Sequence, residues 1–169
     1  MADSLRRTLS EIAEKSAGKW LPVISGLMWV AAIGISVADL VILRHGAYNF
    51  TAVEVAGIAF LVGGLGLYVI CLRALGKFFS EDVRILPEHR LVTSGPYSLI
   101  RHPIYLGEIF FGFSIPMILG SLYGFIIMLV PTLMLFNRIE IEERALVSKF
   151  GQEYLDYASK TKKLIPYIY

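Results

Sequence analysis

The sequence predicts an all-α integral membrane protein with about four transmembrane helices, and three observations carry that prediction. Hydrophobic residues make up 56% of the 169 positions and charged residues only 18%, a balance outside the ordinary soluble range, and the mean hydropathy is +0.63. Four apolar runs alternate with short polar segments. The basic residues between those runs fall almost entirely on one side of a four-span arrangement, as the cytoplasmic bias of Lys and Arg requires.

The chain reads as one membrane domain with five parts. Residues 1–19 are amphipathic: over 3–18, Leu5, Leu9, Ile12 and Ser16 share a helical face while Arg6, Arg7, Glu11, Glu14 and Lys15 occupy the rest, so a short helix lying on the membrane surface is expected. The first residues lack the early apolar core and small-residue cleavage site of a signal peptide, and no prenylation box is present.

Residues 20–75 hold the first two spans. From Trp20 to Leu43 only Asp39 is charged, enough apolar length to cross the hydrocarbon. Thr51 is placed to cap a second span from about Ala52 to Leu75, on which Gly57, Gly63, Gly64 and Gly66 offer a small-residue face for close helix packing. No strand precedes these glycines, so they form no dinucleotide fingerprint, and the sequon at 49–51 lies too close to the second helix to count as a glycosylation site.

Residues 76–103 are polar and turn-rich. Residues 104–136 then supply two shorter apolar runs, Ile104–Leu119 and Leu122–Phe136, joined by Gly120-Ser121, and together they predict a helical hairpin with Pro116 and Pro131 as kinks. Residues 137–169 are expected to continue the last helix to about Lys160 on the cytoplasmic side. With four spans, Arg44 is the one Lys or Arg on the far side. Both termini and the central segment are therefore expected in the cytoplasm, at the inner membrane of a prokaryote or the endoplasmic reticulum of a eukaryote.

Several function classes drop out. A net charge of +2 without a basic stripe argues against a nucleic-acid partner. Cys71 stands alone amid Tyr-Val-Ile-Cys-Leu, as a buried apolar thiol would, and His45, His89 and His102 share no helical spacing, so no metal is expected.

Chemistry concentrates in His89–Gly107, which holds two histidines, two arginines, two tyrosines and the Gly95-Pro96 turn. Pro103 disfavours helix at His102 and suits the first helical position. The third span is therefore expected to begin there, its free amides beside Arg101 forming an anion-friendly corner. A second polar cluster, Arg138, Glu140, Glu142, Glu143 and Arg144, follows the fourth span, and hairpin topology returns it to the same interfacial depth. Opposed charges meeting there suit a zwitterion. Glu54 and Glu108, acidic residues in or near spans, are functional candidates by default.

The stretches Leu91-Val92-Thr93-Ser94-Gly95-Pro96-Tyr97 and Arg101-His102-Pro103-Ile104-Tyr105-Leu106-Gly107, followed by Glu142-Glu143-Arg144-Ala145-Leu146, Phe150-Gly151-Gln152-Glu153-Tyr154 and Pro166, carry a resemblance. Over roughly residues 78–169 the sequence resembles the isoprenylcysteine carboxyl methyltransferases and related membrane phospholipid methyltransferases. The resemblance implies a pocket for S-adenosylmethionine built from the central loop, the hairpin and the C-terminal helix, and a lipophilic methyl acceptor entering from the bilayer. It implies that His89 and Leu91 lie along the adenine beside the Gly95 turn, that Tyr97, His102 and Tyr105 line the pocket, and that Gly107 lets the cofactor approach the helix. Glu142 and Glu143 are the acidic partners, and adjacent helical positions leave open which of them faces inward. Arg101 is expected to orient an acceptor carboxylate or phosphate. A carboxylate acceptor needs no base; an amine would need one, and Glu142 is the candidate.

Two other readings meet the same residues. Membrane sterol reductases, which use a nicotinamide cofactor, carry a similar Arg-rich, Tyr-x-Gly segment, but with Asn where this chain has Ile104, and His102-Pro103 sets it further apart. A small four-span transporter would use Glu54 or Glu108 as its intramembrane charge and the glycines as a dimer seam. It leaves 89–107 unexplained.

Overall fold

The computed structural model describes residues 2–44, 46–48, 50–76, 90–166 and 168, with side chains described from Trp20 onward. Among the described residues five α-helices follow one another: α1 (Ala2–Ala38), which passes into a π-helical turn at Asp39–Leu43, then α2 (Ala52–Leu75), α3 (Pro103–Ile118), α4 (Leu122–Phe150) and α5 (Gln152–Lys160), with a 3-10 turn at Gly95–Ser98 ahead of α3. Trp20–Leu43, Ala52–Leu75 and Leu122–Phe150 are each long and apolar enough to cross a membrane, and α3 is a shorter apolar helix.

The helix boundaries follow local chemistry. Thr51 caps α2: its hydroxyl accepts from Val53 N at 3.2 Å, and Glu54 takes the Thr51 backbone N–H at 2.7 Å, closing a capping box. Glu54 is thus a buried cap. Pro103 opens α3, as its missing N–H and fixed φ favour. Between α3 and α4 the chain reverses through Gly120, whose φ of +63° suits glycine, and Ser121 then caps α4 by accepting from Gly124 N at 3.2 Å.

Two expectations change. The surface helix expected over 3–18 is continuous with the first span, since α1 runs unbroken from Ala2 to Ala38. The C-terminal helix, expected to reach Lys160 uninterrupted, breaks at Gly151, whose φ of +54° ends α4 and redirects the chain into α5.

Packing rests on close helix approach. Helix α3 lies mainly against α2, and α1 mainly against α4, with α3 meeting α4 in the hairpin. A Cβ on Gly64 would stand 2.7 Å from Phe111 N and 2.8 Å from Gly107 O, and one on Gly57 would stand 2.8 Å from Ile118 N. Positions 57 and 64 are two turns apart and share the α3-facing side, whereas Gly63 and Gly66 meet open space. Lipid is as apolar as leucine, so such seams are held by dispersion between closely approaching backbones.

The lengths position the site. At 16 residues α3 is only about 24 Å long, while α4 at 29 residues runs to about 44 Å and must emerge from a hydrocarbon core of about 30 Å. Its emerging end carries residues 138–144 past the start of α3. Beneath them Cys71, Tyr97, Ile104, Tyr105, Leu135, Ile139 and Leu164 form a buried apolar cluster.

Candidate active site

The two polar clusters meet where α3 begins and α4 emerges. His102, just before Pro103, is buried, and each of its ring nitrogens faces a different carboxylate: Nδ1 lies 3.5 Å from Glu142 Oε2 and Nε2 lies 3.2 Å from Glu143 Oε1. Glu142 and Glu143, adjacent on α4, therefore straddle the imidazole. Burial works to lower the His102 pKa, but hydrogen bonds to Glu142 and Glu143 and their negative charges outweigh it and the pKa is raised. The imidazolium is the form that donates to both carboxylates.

Around this centre the predicted residues take distinct places. The Tyr105 hydroxyl donates to Glu142 Oε2 at 2.8 Å, and its ring stacks on His102 with centroids 5.6 Å apart. The Arg138 guanidinium sits 5.6 Å from the centre of the Tyr105 ring, one helical turn from Glu142 on the same face. Tyr97 is buried in the 3-10 turn, its carbonyl accepting from Tyr157 Oη at 2.6 Å, while its own hydroxyl has no hydrogen-bond partner among the described residues. Burial pushes the Tyr97 phenol well up, so it stays neutral. Gly95, with φ of +61°, turns the chain into this segment, and Leu91 lies half-buried ahead of it.

Arg101 is committed to protein partners. Its Nε donates to Glu143 Oε1 at 2.6 Å, and its Nη1 donates to Ala158 O at 3.0 Å and to Thr161 O, at the end of α5. Gly107 faces α2, where a Cβ would stand 3.0 Å from Gly64 O; its lack of a side chain serves helix packing. His89 lies outside the described residues. The sequence reading gives Arg138 no role of its own, although its i,i+4 spacing from Glu142 is the signal that marks it. It also misses Lys163, which pairs with Glu140 and lies 3.7 Å from Glu143 Oε2; no local pattern brings a tail lysine to that corner.

A buried imidazole bracketed by two carboxylates, with aromatic rings and two arginines beside it at the mouth of an apolar hairpin, gives this integral membrane protein a buried polar cluster at one end of its bundle. The isoprenylcysteine carboxyl methyltransferase (ICMT) family model matches residues 55–148, more than half of the chain, and the chain belongs to that family. It is 30% identical over 168 residues to the protein-S-isoprenylcysteine O-methyltransferase of Schizosaccharomyces pombe, covering 94% of this chain and 71% of that one. To the Saccharomyces cerevisiae protein of the same description it is 34% identical over 109 residues, covering 62% of this chain and 46% of that one. A solved structure described as the eukaryotic intramembrane Ras methyltransferase ICMT, without a monobody, superposes with a TM-score of 0.69 at 27% identity, covering 86% of this chain and 52% of that chain. The chain thus spans about half the length of that structural relative.

Proposed function

We propose that this protein is a membrane methyltransferase that moves a methyl group from S-adenosylmethionine to the carboxylate of a lipophilic, isoprenylcysteine-like acceptor. The observation that carries the reading is the pairing of Glu142 and Glu143 with His102 and Tyr105 at the mouth of the hairpin, in a chain of this family.

The residues present fit such a cofactor. Among the described residues the buried Tyr97 hydroxyl has no nitrogen or oxygen partner, only the weakly bonding Cys71 thiol beside it, a cost that a bound polar group would relieve. The two carboxylates suit an ammonium group and ribose hydroxyls, and the aromatic rings supply a water-poor wall. When bound, S-adenosylmethionine supplies a methyl group on a positively charged sulfur, transferred in one displacement in which the carbon–sulfur bond breaks and a carbon–oxygen bond to the acceptor forms. A carboxylate acceptor releases no proton, so this chain's residues act mainly by positioning.

Glu143 holds the amino acid end, fixed by Arg101 and His102. Glu142, fixed by Tyr105 and His102, faces the reacting side and is the base available to an amine acceptor. Tyr97, Tyr105, Leu91 and the Gly95 turn wall the nucleoside, with His89 along the adenine as the resemblance implies. The contacts of Arg101 favour a positioning role through Glu143, and Arg138, over the Tyr105 ring, is the cation better placed to orient the acceptor's anion. The distribution of Lys and Arg supports a cytoplasmic face for this end.

The test is methyl transfer by detergent-purified protein, offering a farnesylated, amine-blocked cysteine and, in parallel, an amine phospholipid. Ester formation on the cysteine carboxylate is the expected outcome. Transfer to the amine lipid alone would replace the acceptor class, and transfer to neither, in folded protein, would contradict the reading.

A further inference from the structure

The match to the family ends at residue 148, yet the segment after α5 is tied into the site at several points. The amides of Arg101 and His102 donate to the carbonyls of Lys162 at 2.8 Å and Lys163 at 2.9 Å, a parallel pairing that begins at Ile100. The Thr161 hydroxyl bonds back to Tyr157 O at 2.9 Å, and its carbonyl takes the Arg101 guanidinium. Leu164 is 2% exposed and packs in the apolar cluster with Tyr97, Tyr105 and Ile139. Lys163, between these anchors, presents its ammonium to Glu140 and Glu143. Backbone pairing and a buried leucine on either side fix where that charge can reach.

We propose that residues 161–164 form a strap that is a working part of the cofactor site, with Lys163 as a positioning residue that holds Glu143 in place for the cofactor's ammonium group. Three nitrogen-bearing side chains surround Glu143: Arg101 from ahead of α3, the His102 imidazole beside it and Lys163 from the strap. Arg101 and His102 share Oε1, whereas Lys163 alone of the three is assigned to Oε2. Without Lys163 the carboxylate loses the cation beside Oε2 and its orientation is held less firmly, by Arg101 and His102 at Oε1 and by the neighbouring Tyr154 phenol. A group that must meet a ligand within a few tenths of an ångström loses affinity when its orientation is loosened.

The inference rests on the cofactor reading above, and one set of titrations separates the two. S-adenosylhomocysteine is titrated calorimetrically into full-length wild type, Lys163→Met, Lys163→Arg and, as a control, Lys160→Met, whose side chain lies exposed at the end of α5. Lys163→Met is expected to weaken binding roughly fivefold, the size of one lost, partly exposed ion pair. Lys163→Arg should recover most of that loss and Lys160→Met should match wild type. A strap that only stabilises the fold would lower the melting temperature of Lys163→Met and leave the affinity of its folded fraction unchanged, which overturns the proposal. Should Lys163→Met fail to fold, Lys163→Gln is read in the same way. Wild type that binds no S-adenosylhomocysteine overturns the cofactor reading and this inference with it; wild type that binds, beside an unchanged Lys163 variant, overturns this inference alone.

Discussion

The two ends of the helical bundle use the same residue type to different ends. At the hairpin turn Arg44 reaches across from the α1–α2 loop, donating from Nη1 to Leu119 O at 2.8 Å and Gly120 O at 3.1 Å, and Tyr48 Oη adds a bond to Ile118 O at 2.7 Å. At the opposite end Arg101 likewise covers the carbonyls that end a helix, those of Ala158 and Thr161. Both arginines satisfy carbonyls that a helix terminus leaves open and oppose its negative pole. At the turn Glu54 feels the Arg44 charge, but its Oε2 is turned back into its own cap. At the site end Arg101 also holds Glu143, and carboxylates, imidazole and phenol from separate elements meet around it. A charged residue in a membrane helix bundle is therefore informative when its partner comes from another element and is itself ionisable, and much less so when its partners are backbone carbonyls.

This contrast orders the expected effects of mutation. The largest belongs to Glu143→Ala, which strips a carboxylate from Arg101 and His102; about 3 kcal/mol of stability and all measurable S-adenosylhomocysteine binding should be lost, the first read by chemical or thermal unfolding and the second by calorimetry. Arg44→Met should cost a similar few kcal/mol, roughly 1–3, by leaving carbonyls unpaired, yet its folded fraction should bind the nucleoside as wild type does. Strong loss of binding in Arg44→Met would break the distinction between the two ends. Gly120→Ala should cost about 1–2 kcal/mol in melts, because a side chain is disfavoured at positive φ and its Cβ would stand 2.7 Å from Arg44 Nη1.

The smallest effect is the pH dependence of His102. Its pKa in the folded protein is raised, so its contribution to stability is complete below the ordinary histidine value of about 6.5 and is lost as the pH rises through the raised value. The melting temperature of wild type should therefore fall relative to that of His102→Gln in the window that opens at about pH 6.5 and closes above the raised value. A difference that stays constant across that window would show that the imidazole is neutral in its cleft.

Much of this was legible in the sequence because it is governed by local rules. The span limits, the Thr51 cap, the helix start at Pro103 and the hairpin follow from hydropathy, capping and proline geometry, and the same hairpin brings 101–105 to 140–143. Other features are set by long-range contact. The contacts of Arg101 with Ala158 and Thr161 depend on where α5 ends, which depends in turn on the break at Gly151, and a glycine within a helical pattern is the visible signal of such a break. The orientation of Glu142 and Glu143 could not be read from adjacency alone, and His102, with one ring nitrogen facing each carboxylate, removes the choice. Gly107 shows the reverse case: a motif glycine expected to face a ligand lies against the α2 backbone at Gly64, and nothing in one sequence separates the two uses of a missing side chain.

In the proposed function the end of the molecule bearing His102, Glu142 and Glu143 binds an S-adenosyl nucleoside and the other end does not contribute. Calorimetric titration of S-adenosylhomocysteine, with NADPH in parallel, into detergent-purified wild type, Glu143→Ala and Arg44→Met tests it most directly. Saturable nucleoside binding by wild type and Arg44→Met, none by Glu143→Ala and no binding of NADPH by any of them is the predicted result. Equal nucleoside affinity in wild type and Glu143→Ala, or binding of NADPH alone, would contradict it.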